Sequence, residues 1–477
     1  MGQEISSRHF SDADFSAYQE RLRAETARLA EWFREGRFST HDRVGGFELE
    51  AWLIDGNSQP ASINERFLAR LGDPLVVPEL ARFNVELNTQ PQRLTGQALS
   101  LMQRHLQDTW NNCERVAAEL DVRMLMIGIL PTLDEARLTA RNMSNLERYR
   151  ALNEQVLRQR DGKPLALDIV GREHLKLTHR DVMLESAATS FQIHLKVAQT
   201  TALRYYNLAH ILSAPMVAVA ANSPFLFGRD LWDETRIPLF EQSVEVGGFD
   251  GAAHGPMRRV SFGTGYLHES LMECFQENLE HYPPLLPERF DEGDETLPHV
   301  RLHNGTIWRW NRPLLGFDDD GTPHLRIEHR VVPGGPSIPD LIANAAFFFG
   351  LVQSLGNSEM AAELQLSFAD ARDNFYSAAR DGFEAQVRWL DGRRGKMQVL
   401  LAEHLLAQAR QGLHALAIDP ADIAYYLGII EERVRKGCNG AVWQRAYVAE
   451  HGANMAGLVE AYRERQNSGR PVHEWQV

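Results

Sequence analysis

Four short stretches of this chain carry polar, mostly ionisable residues two apart: Glu48 and Glu50 in GGFELEAWLID, Asn84, Glu86 and Asn88 in RFNVELNTQP, Gln192, His194 and Lys196 in SFQIHLKV, and Arg326, Glu328 and Arg330 in HLRIEHRVV. Several carboxylates and one imidazole, with arginines beside them, are the groups needed to hold hard divalent cations and an anionic phosphate. Magnesium with a nucleotide is the economical reading. Magnesium prefers oxygen ligands, keeps some of its water and bridges protein carboxylates to phosphates, so carboxylates and not thiols are required. Arginine in such a site neutralises charge developing on a transferring phosphoryl group.

Spacing of two is the period of a β-strand, so each stretch must display its polar set on one face. Phe47, Leu49, Ala51 and Leu53 alternate with Glu48, Glu50 and Trp52; Phe83, Val85 and Leu87 alternate with Asn84, Glu86 and Asn88. Likewise Phe191, Ile193, Leu195 and Val197 oppose Ser190, Gln192, His194 and Lys196, and Leu325, Ile327 and His329 oppose Arg326, Glu328 and Arg330. Any one of these alone reads as a half-buried antiparallel strand with a wet side. Together they put Glu, His and Arg where a merely wet sheet carries Thr, Ser and Lys, and Glu is depleted from ordinary strands. GTIWRWNRP is expected to pair with HLRIEHR across the DDDG turn, which would bring Arg309 onto the polar face, while Trp308 and Trp310 read as packing residues.

The flanking sequence is largely helical in pattern. Tyr18, Leu22, Leu29 and Phe33 recur at helical spacing and Gly36 stands where a C-cap glycine would. Further helices are expected over 95–120 and 145–157, with VRMLMIGILP as a buried strand between them. The Gly-, Pro- and acid-rich segment 247–298 reads as long loops over the site. Asp340 is expected to cap a helix through LIANAAFFFGL, and the remainder to Arg465 is helical, broken near Gly356, Asp391 and Pro420.

With 44% apolar residues in 477, the chain can build one large compact body. Lys and Arg number 50 against 64 Asp and Glu, a net charge of −14 that argues against nucleic acid as a partner. Cys113, Cys274 and Cys438 are far apart and lack CxxC spacing, so neither a disulfide framework nor a zinc site is expected, and a cytoplasmic setting fits. The start has no secretory apolar region, and no later run is expected to approach the roughly 20 apolar residues of a membrane span. GxxxxGK[ST], GxGxxG, HExxH and GxSxG are all absent, so phosphate would not be held in a P-loop or Rossmann manner.

These strands in this order, with PELARFNVELNTQP, HLRIEHRVVPGGPSIPD and the C-terminal GAVWQRAY and GRPVHEW, resemble the glutamate-cysteine ligase family of the second bacterial type, which includes carboxylate-amine ligases related to glutamine synthetase. The resemblance spans nearly the whole chain. It implies an α+β fold of the glutamine synthetase type, a curved, mainly antiparallel sheet forming a funnel backed by helices, as one catalytic domain over 1–477 with a helical subregion from about 340. It also implies a reaction dependent on ATP and Mg2+. The γ-carboxylate of glutamate is phosphorylated, and an amine such as that of cysteine attacks the acyl phosphate to form an amide, as in the first step of glutathione biosynthesis.

By the same resemblance Glu48, Glu50, Glu86, His194 and Glu328 fall where the family binds metal ions, with Glu79 a weaker candidate. Arg330 would stabilise the transferred phosphoryl group, and ANSPFLFGRDLWDETR would bring Arg236 near the phosphates. ARNMSNLERYRALN makes Arg148 and Tyr149 candidates for the amino-acid carboxylate or its pocket, and Arg309 and Arg326 join them as substrate or nucleotide contacts. Many relatives have a glycine and a second histidine where this chain has Gln192 and Lys196 around His194. Lys196 could snorkel to water or suit an anionic acceptor. The expected partners are therefore small molecules: ATP, glutamate or a similar carboxylate, and an amine. A homodimer through the apolar C-terminal third is a further expectation. The alternatives are a guanidino-type phosphotransferase of the same fold class, or a non-catalytic nucleotide-binding regulatory protein.

Overall fold

The computed structural model describes residues 4–6, 9–246, 258–290 and 295–477. Six strands make the sheet that matters: β1 (Val44–Ile54), β2 (Val76–Pro78), β3 (Asn84–Asn88), β4 (Phe191–Val197), β5 (Asn311–Phe317) and β6 (Pro323–His329). Their order is β5-β6-β4-β1-β3-β2, every pair is antiparallel, and the short strands Gln92–Arg93 and Arg123–Leu125 also pair with β1. All four strands expected from alternation are present, and the two ends of the chain meet in them: β6 is joined to β1 only through β4. The β5–β6 hairpin turns at the DDDG sequence, where the Gly321 N–H donates to the Asp318 carbonyl at 2.8 Å.

Register then decides which polar residues meet. Glu50 lies opposite Glu86 and Gly46 opposite His194. His194 in turn lies opposite Glu328, and Glu328 opposite Arg312. A slip of one residue in any strand would turn its set to the other face.

The helices cover the apolar face and edges. They include α1 (Asp12–Glu35), α2 (Ala98–Glu119), α3 (Glu147–Gln159), α4 (Gln199–Ala220), α5 (Ile338–Gly356), α6 (Leu406–Ala415) and α7 (Pro420–Lys436). A Ser11–Asp14 capping box starts α1, and Gly36, at φ 66°, ends it as its spacing predicts. On the apolar face of the sheet, Phe349 of α5 stacks on Phe47 with centroids 6.3 Å apart, and Phe348 stacks on His329 at 4.3 Å. Gly350 and Gly412 let α5 and α6 touch backbone to backbone: a Cβ added at 412 would stand 1.8 Å from the Gly350 carbonyl oxygen.

Several expectations need correction. α5 is long and apolar enough to cross a membrane, contrary to the sequence reading, but 94% of that stretch is buried within the protein as the core helix. Its N-cap is Ser337 and not Asp340; the Ser337 hydroxyl donates to Asp340, whose other oxygen takes Arg433 at 3.1 Å. The VRMLMIGILP strand stops at Leu125, because the Ile127 carbonyl beyond it receives Trp52 Nε1 at 3.1 Å and the Thr189 hydroxyl instead of a neighbouring strand. The expected loops of 247–298 fall partly on 247–257 and 291–294, outside the described residues; between those, Met272–His281 is a helix and Val260–Ser261 a short strand. The break near Asp391 is a hairpin, Gln386–Arg388 with Arg394–Lys396.

Candidate active site

The polar face of the sheet opens into a cavity of about 240 Å³. Two groups of possible ion ligands lie on it. Glu48, His194 and Glu328 form one and Glu50, Glu79 and Glu86 the other; within each, the ligand atoms lie within 4.8 Å of one another. Donors around one octahedral magnesium ion, at about 2.1 Å from it, stand roughly 3–4.2 Å apart, so each triad needs only slight tightening to share an ion.

In the first triad, His194 Nε2 is 3.3 Å from Glu48 and 3.8 Å from Glu328. Neither nitrogen of this buried ring makes a hydrogen bond. Burial pulls the imidazole down to about 4, so it is neutral and offers a lone pair. Burial, the largest influence, pushes Glu48 up, but the surrounding cationic groups together, Arg330 among them, leave the carboxyl below its ordinary value. Burial likewise opposes the charge on Glu328, yet Arg312 and Arg330 hold its carboxyl well below the usual range. Arg312 grips it with two bonds, Nε to Oε2 at 2.7 Å and Nη2 to Oε1 at 2.9 Å, and Arg330 adds a third to Oε2 at 3.0 Å. Each carboxylate oxygen has two acceptor positions, so Oε1 keeps one for an ion.

The second triad shows the opposite electrostatics. Burial and then the neighbouring carboxylates push Glu79 well above the usual range, and Glu86 is pushed up to about 7 by burial and Glu48. Glu50 is also raised by burial, though Arg330 and two bonds from Ser190, at 2.7 and 2.8 Å, partly offset this. Three carboxylates this close hold protons between them until a cation replaces the protons. An orphaned neutral imidazole in one triad and mutually repelling carboxylates in the other are the donor chemistry of a two-cation site.

Gln192, where the sequence departs from its relatives, bridges the two halves: its amide donates to Glu50 at 3.0 Å and its oxygen accepts from Arg330. Lys196 is withdrawn from the site. Its ammonium donates to both oxygens of Asp318, at 2.6 and 2.8 Å, so neither snorkelling alone nor an anionic acceptor accounts for it.

Of the other residues singled out in the sequence, Arg148, Tyr149 and Arg326 line the cavity. Arg148 donates to the Tyr149 hydroxyl at 2.6 Å. Arg236 does not reach it. That guanidinium lies behind Arg330, donating to the Val331 carbonyl at 2.6 Å, pairing with Glu234 at 3.2 Å and lying over the Trp310 ring. Arg309 is also turned away, paired with Glu277 and donating to Asn278 at 2.7 Å, because residues 308–309 join Val260–Ser261 in a separate two-stranded sheet. Arg312 takes the place expected for Arg309. Counting outward from the DDDG turn sets it opposite Glu328, a signal the sequence did contain. Trp310 is a packing residue as expected, whereas Trp308 lines the cavity.

Two further charged lining residues escaped the sequence reading: Arg301, on the helix Pro298–Gly305, and Glu185, in the turn before β4. Neither lies in an alternating segment, so no period announced it.

Comparison with known proteins places the chain. The family model for glutamate-cysteine ligase family 2 matches residues 44–464. No curated protein matches the chain. Among solved structures it is similar to the glutamate–cysteine ligase of Francisella tularensis in complex with AMP, at 10% identity and a TM-score of 0.53, over 92% of this chain and 90% of that one. It is also similar to a bifunctional glutathione synthetase from Pasteurella multocida, at 12% identity and a TM-score of 0.50, over 92% of this chain but 54% of the other. The shared architecture is the glutamine synthetase-like fold, a curved antiparallel sheet with a helical C-terminal region.

Proposed function

This chain belongs to glutamate-cysteine ligase family 2 and is a carboxylate–amine ligase; from that premise we propose that it joins glutamate to a small amine at the expense of ATP, with Mg2+ at both triads. The observation that carries the reading is the pair of triads on one face of the sheet, with Arg330 reaching between them through Gln192 and Glu328. Glu48, His194 and Glu328 would hold one ion and Glu50, Glu79 and Glu86 the other. Bound there, magnesium ions screen phosphate charge and align a transferring phosphoryl group.

The chain's own residues supply the rest. Arg330 presents a planar fork to a phosphoryl group and is itself kept charged, against burial, by Glu328, Glu50 and Glu48. Arg312 fixes Glu328 in place. Arg236 holds the backbone at 330–331 and acts through Arg330, not on substrate. Arg326 and Arg301 face the cavity beside Leu302, Leu314 and Trp308, a mixture of charge and apolar surface that suits a nucleotide. Arg148, beside Tyr149, suits a substrate carboxylate. Residues 1–477 act as one catalytic unit, and the three free cysteines accord with a cytoplasmic enzyme.

The test is phosphate release from ATP and Mg2+ with glutamate and a panel of amines, run beside hydroxylamine trapping. Release that requires both glutamate and an amine, with a hydroxamate formed from glutamate, is the expected outcome. Phosphate transfer to an acceptor without any hydroxamate would point instead to the phosphotransferase reading.

A further inference from the structure

Glu185 is the one carboxylate in the cavity to which the ligase reading gives no task. It sits in the short turn Val182–Ala187, whose Val182, Met183, Leu184, Ser186 and Ala187 are all buried, so Glu185 is the residue the turn presents to the cavity. The turn is held on both sides. The Val182 N–H donates to Asn153 at 3.0 Å, the Met183 N–H to Asp181 at 3.0 Å, and the Thr189 N–H to the Gly128 carbonyl at 2.9 Å. The position of the carboxylate is therefore built into the fold and not left to a loose loop.

Glu185 belongs to neither ligand triad, and among the described residues no lysine or arginine forms an ion pair with it. Its electrostatic neighbours are Glu50, Glu79, Tyr149 and Arg330, which place it on the acidic side of the cavity within range of the arginine assigned to the phosphoryl group. Lys196, the basic residue that would mark an anionic acceptor, is paired with Asp318. What remains near the reacting centre is a carboxyl without a cationic partner, which burial and Glu50 push up to about 8 against the pull of Arg330; its complement is a cation, whose arrival lets it ionise.

We propose, resting on the ligase reading, that Glu185 is the docking point for the ammonium group of the acceptor, so that the enzyme selects amines that arrive positively charged over neutral nucleophiles. A charged hydrogen bond to the ammonium would hold the nitrogen beside the acyl phosphate, and the carboxylate would take the proton the nitrogen must lose before its lone pair attacks the acyl carbon and phosphate departs with the C–O bonding pair. Glu185→Gln keeps the shape and removes the charge, and Glu185→Asp keeps the charge.

The experiment compares amide formation from cysteine and from ethylamine with hydroxamate formation from hydroxylamine, which is largely uncharged at neutral pH, in wild type and both variants. In Glu185→Gln the ratio of amide to hydroxamate should fall about tenfold or more, the effect of one charged hydrogen bond, through a raised KM for the amine. Glu185→Asp should restore part of it. An unchanged ratio, or hydroxamate formation falling in step with amide formation, overturns the inference. Wild-type enzyme that forms no hydroxamate from ATP and glutamate refutes the ligase reading itself, and the inference with it.

Discussion

Arg312→Met isolates the contact on which the first triad depends. It removes the two bonds to Glu328 at 2.7 and 2.9 Å while keeping the aliphatic bulk, in a pair whose side chains are only 10% and 1% exposed. Breaking a buried pair by removing one partner costs about 3–5 kcal/mol, because the remaining charge is left uncompensated. Arg330 still contacts Glu328 at 3.0 Å, so the lower end, about 3 kcal/mol, is expected. Unfolding entropy of about 2 cal/mol/K per residue gives roughly 1 kcal/mol/K for a chain this long, so Tm should fall by about 3 °C in EDTA. Magnesium offers Glu328 a replacement cation, and a ligand at 100 times its Kd adds about 2.7 kcal/mol to the native state. Scanning calorimetry should therefore show the variant gaining more from saturating Mg2+ than wild type does. A loss under about 1 °C in EDTA, or equal gains from Mg2+, would refute the assignment of Glu328 to both Arg312 and an ion.

Arg330→Lys should lower kcat about a hundredfold or more while leaving Tm within about 2 °C, since a lysine cannot bond Gln192, Glu328 and phosphate at once; near-normal kcat removes Arg330 from the chemistry. Lys196→Met should cost about 1 kcal/mol of stability by releasing a partly exposed partner. Burial tends to raise the Asp318 carboxyl, but Lys196, Ser39 and His324 bring it down to about 2. Its contribution is therefore full above the unfolded value near 4 and fades as pH falls toward 2. Urea unfolding of wild type and variant should converge over that range, and a gap that persists at the lowest pH contradicts the pairing. A non-hydrolysable ATP analogue should bind at least about tenfold more weakly in EDTA than in Mg2+ by calorimetry; equal affinities would mean that the triads do not serve the nucleotide.

The strands were legible because a period of two over at least five residues separates faces without reference to anything else: Glu48, Glu50, Glu86, His194, Arg326, Glu328 and Arg330 all emerge on the polar face they were read onto. Which strand neighbours which was not legible from alternation. The pairing of β6 with β4, some 130 residues apart in the chain, is fixed by long-range packing on α5. The arginines divide for the same reason. Arg312 lies within a hairpin whose turn sets its register, while Arg309, three residues earlier, has left that hairpin for another strand. Arg236 is carried by a buried helix start whose direction depends on contacts with 330–331. Glu185 comes from an aperiodic turn and could be found only once the cavity around it existed.

The charges on this face are largely sorted across the sheet, with Glu328 on β6 and Arg148 beside Glu79 as the exceptions. Glu50, Glu79, Glu86 and Glu185 gather toward β1 and β3, whereas Arg312, Arg326 and Arg330 stand on or just after β5 and β6, with Arg301 beside them. Six carboxylates and five arginines line the cavity among the described residues, which leaves one net negative charge when all are ionised. So balanced a surface offers a polyphosphate no net attraction while the carboxylates are ionised. Two divalent ions would add four positive charges and turn that single negative charge into three positive ones, so on the proposed reading the nucleotide binds more tightly with the ions than without them. With the ions in place, the proposed reading would have the phosphates drawn toward the arginines of β5 and β6. On that reading Glu185, which belongs to neither triad, would be left for the acceptor's ammonium.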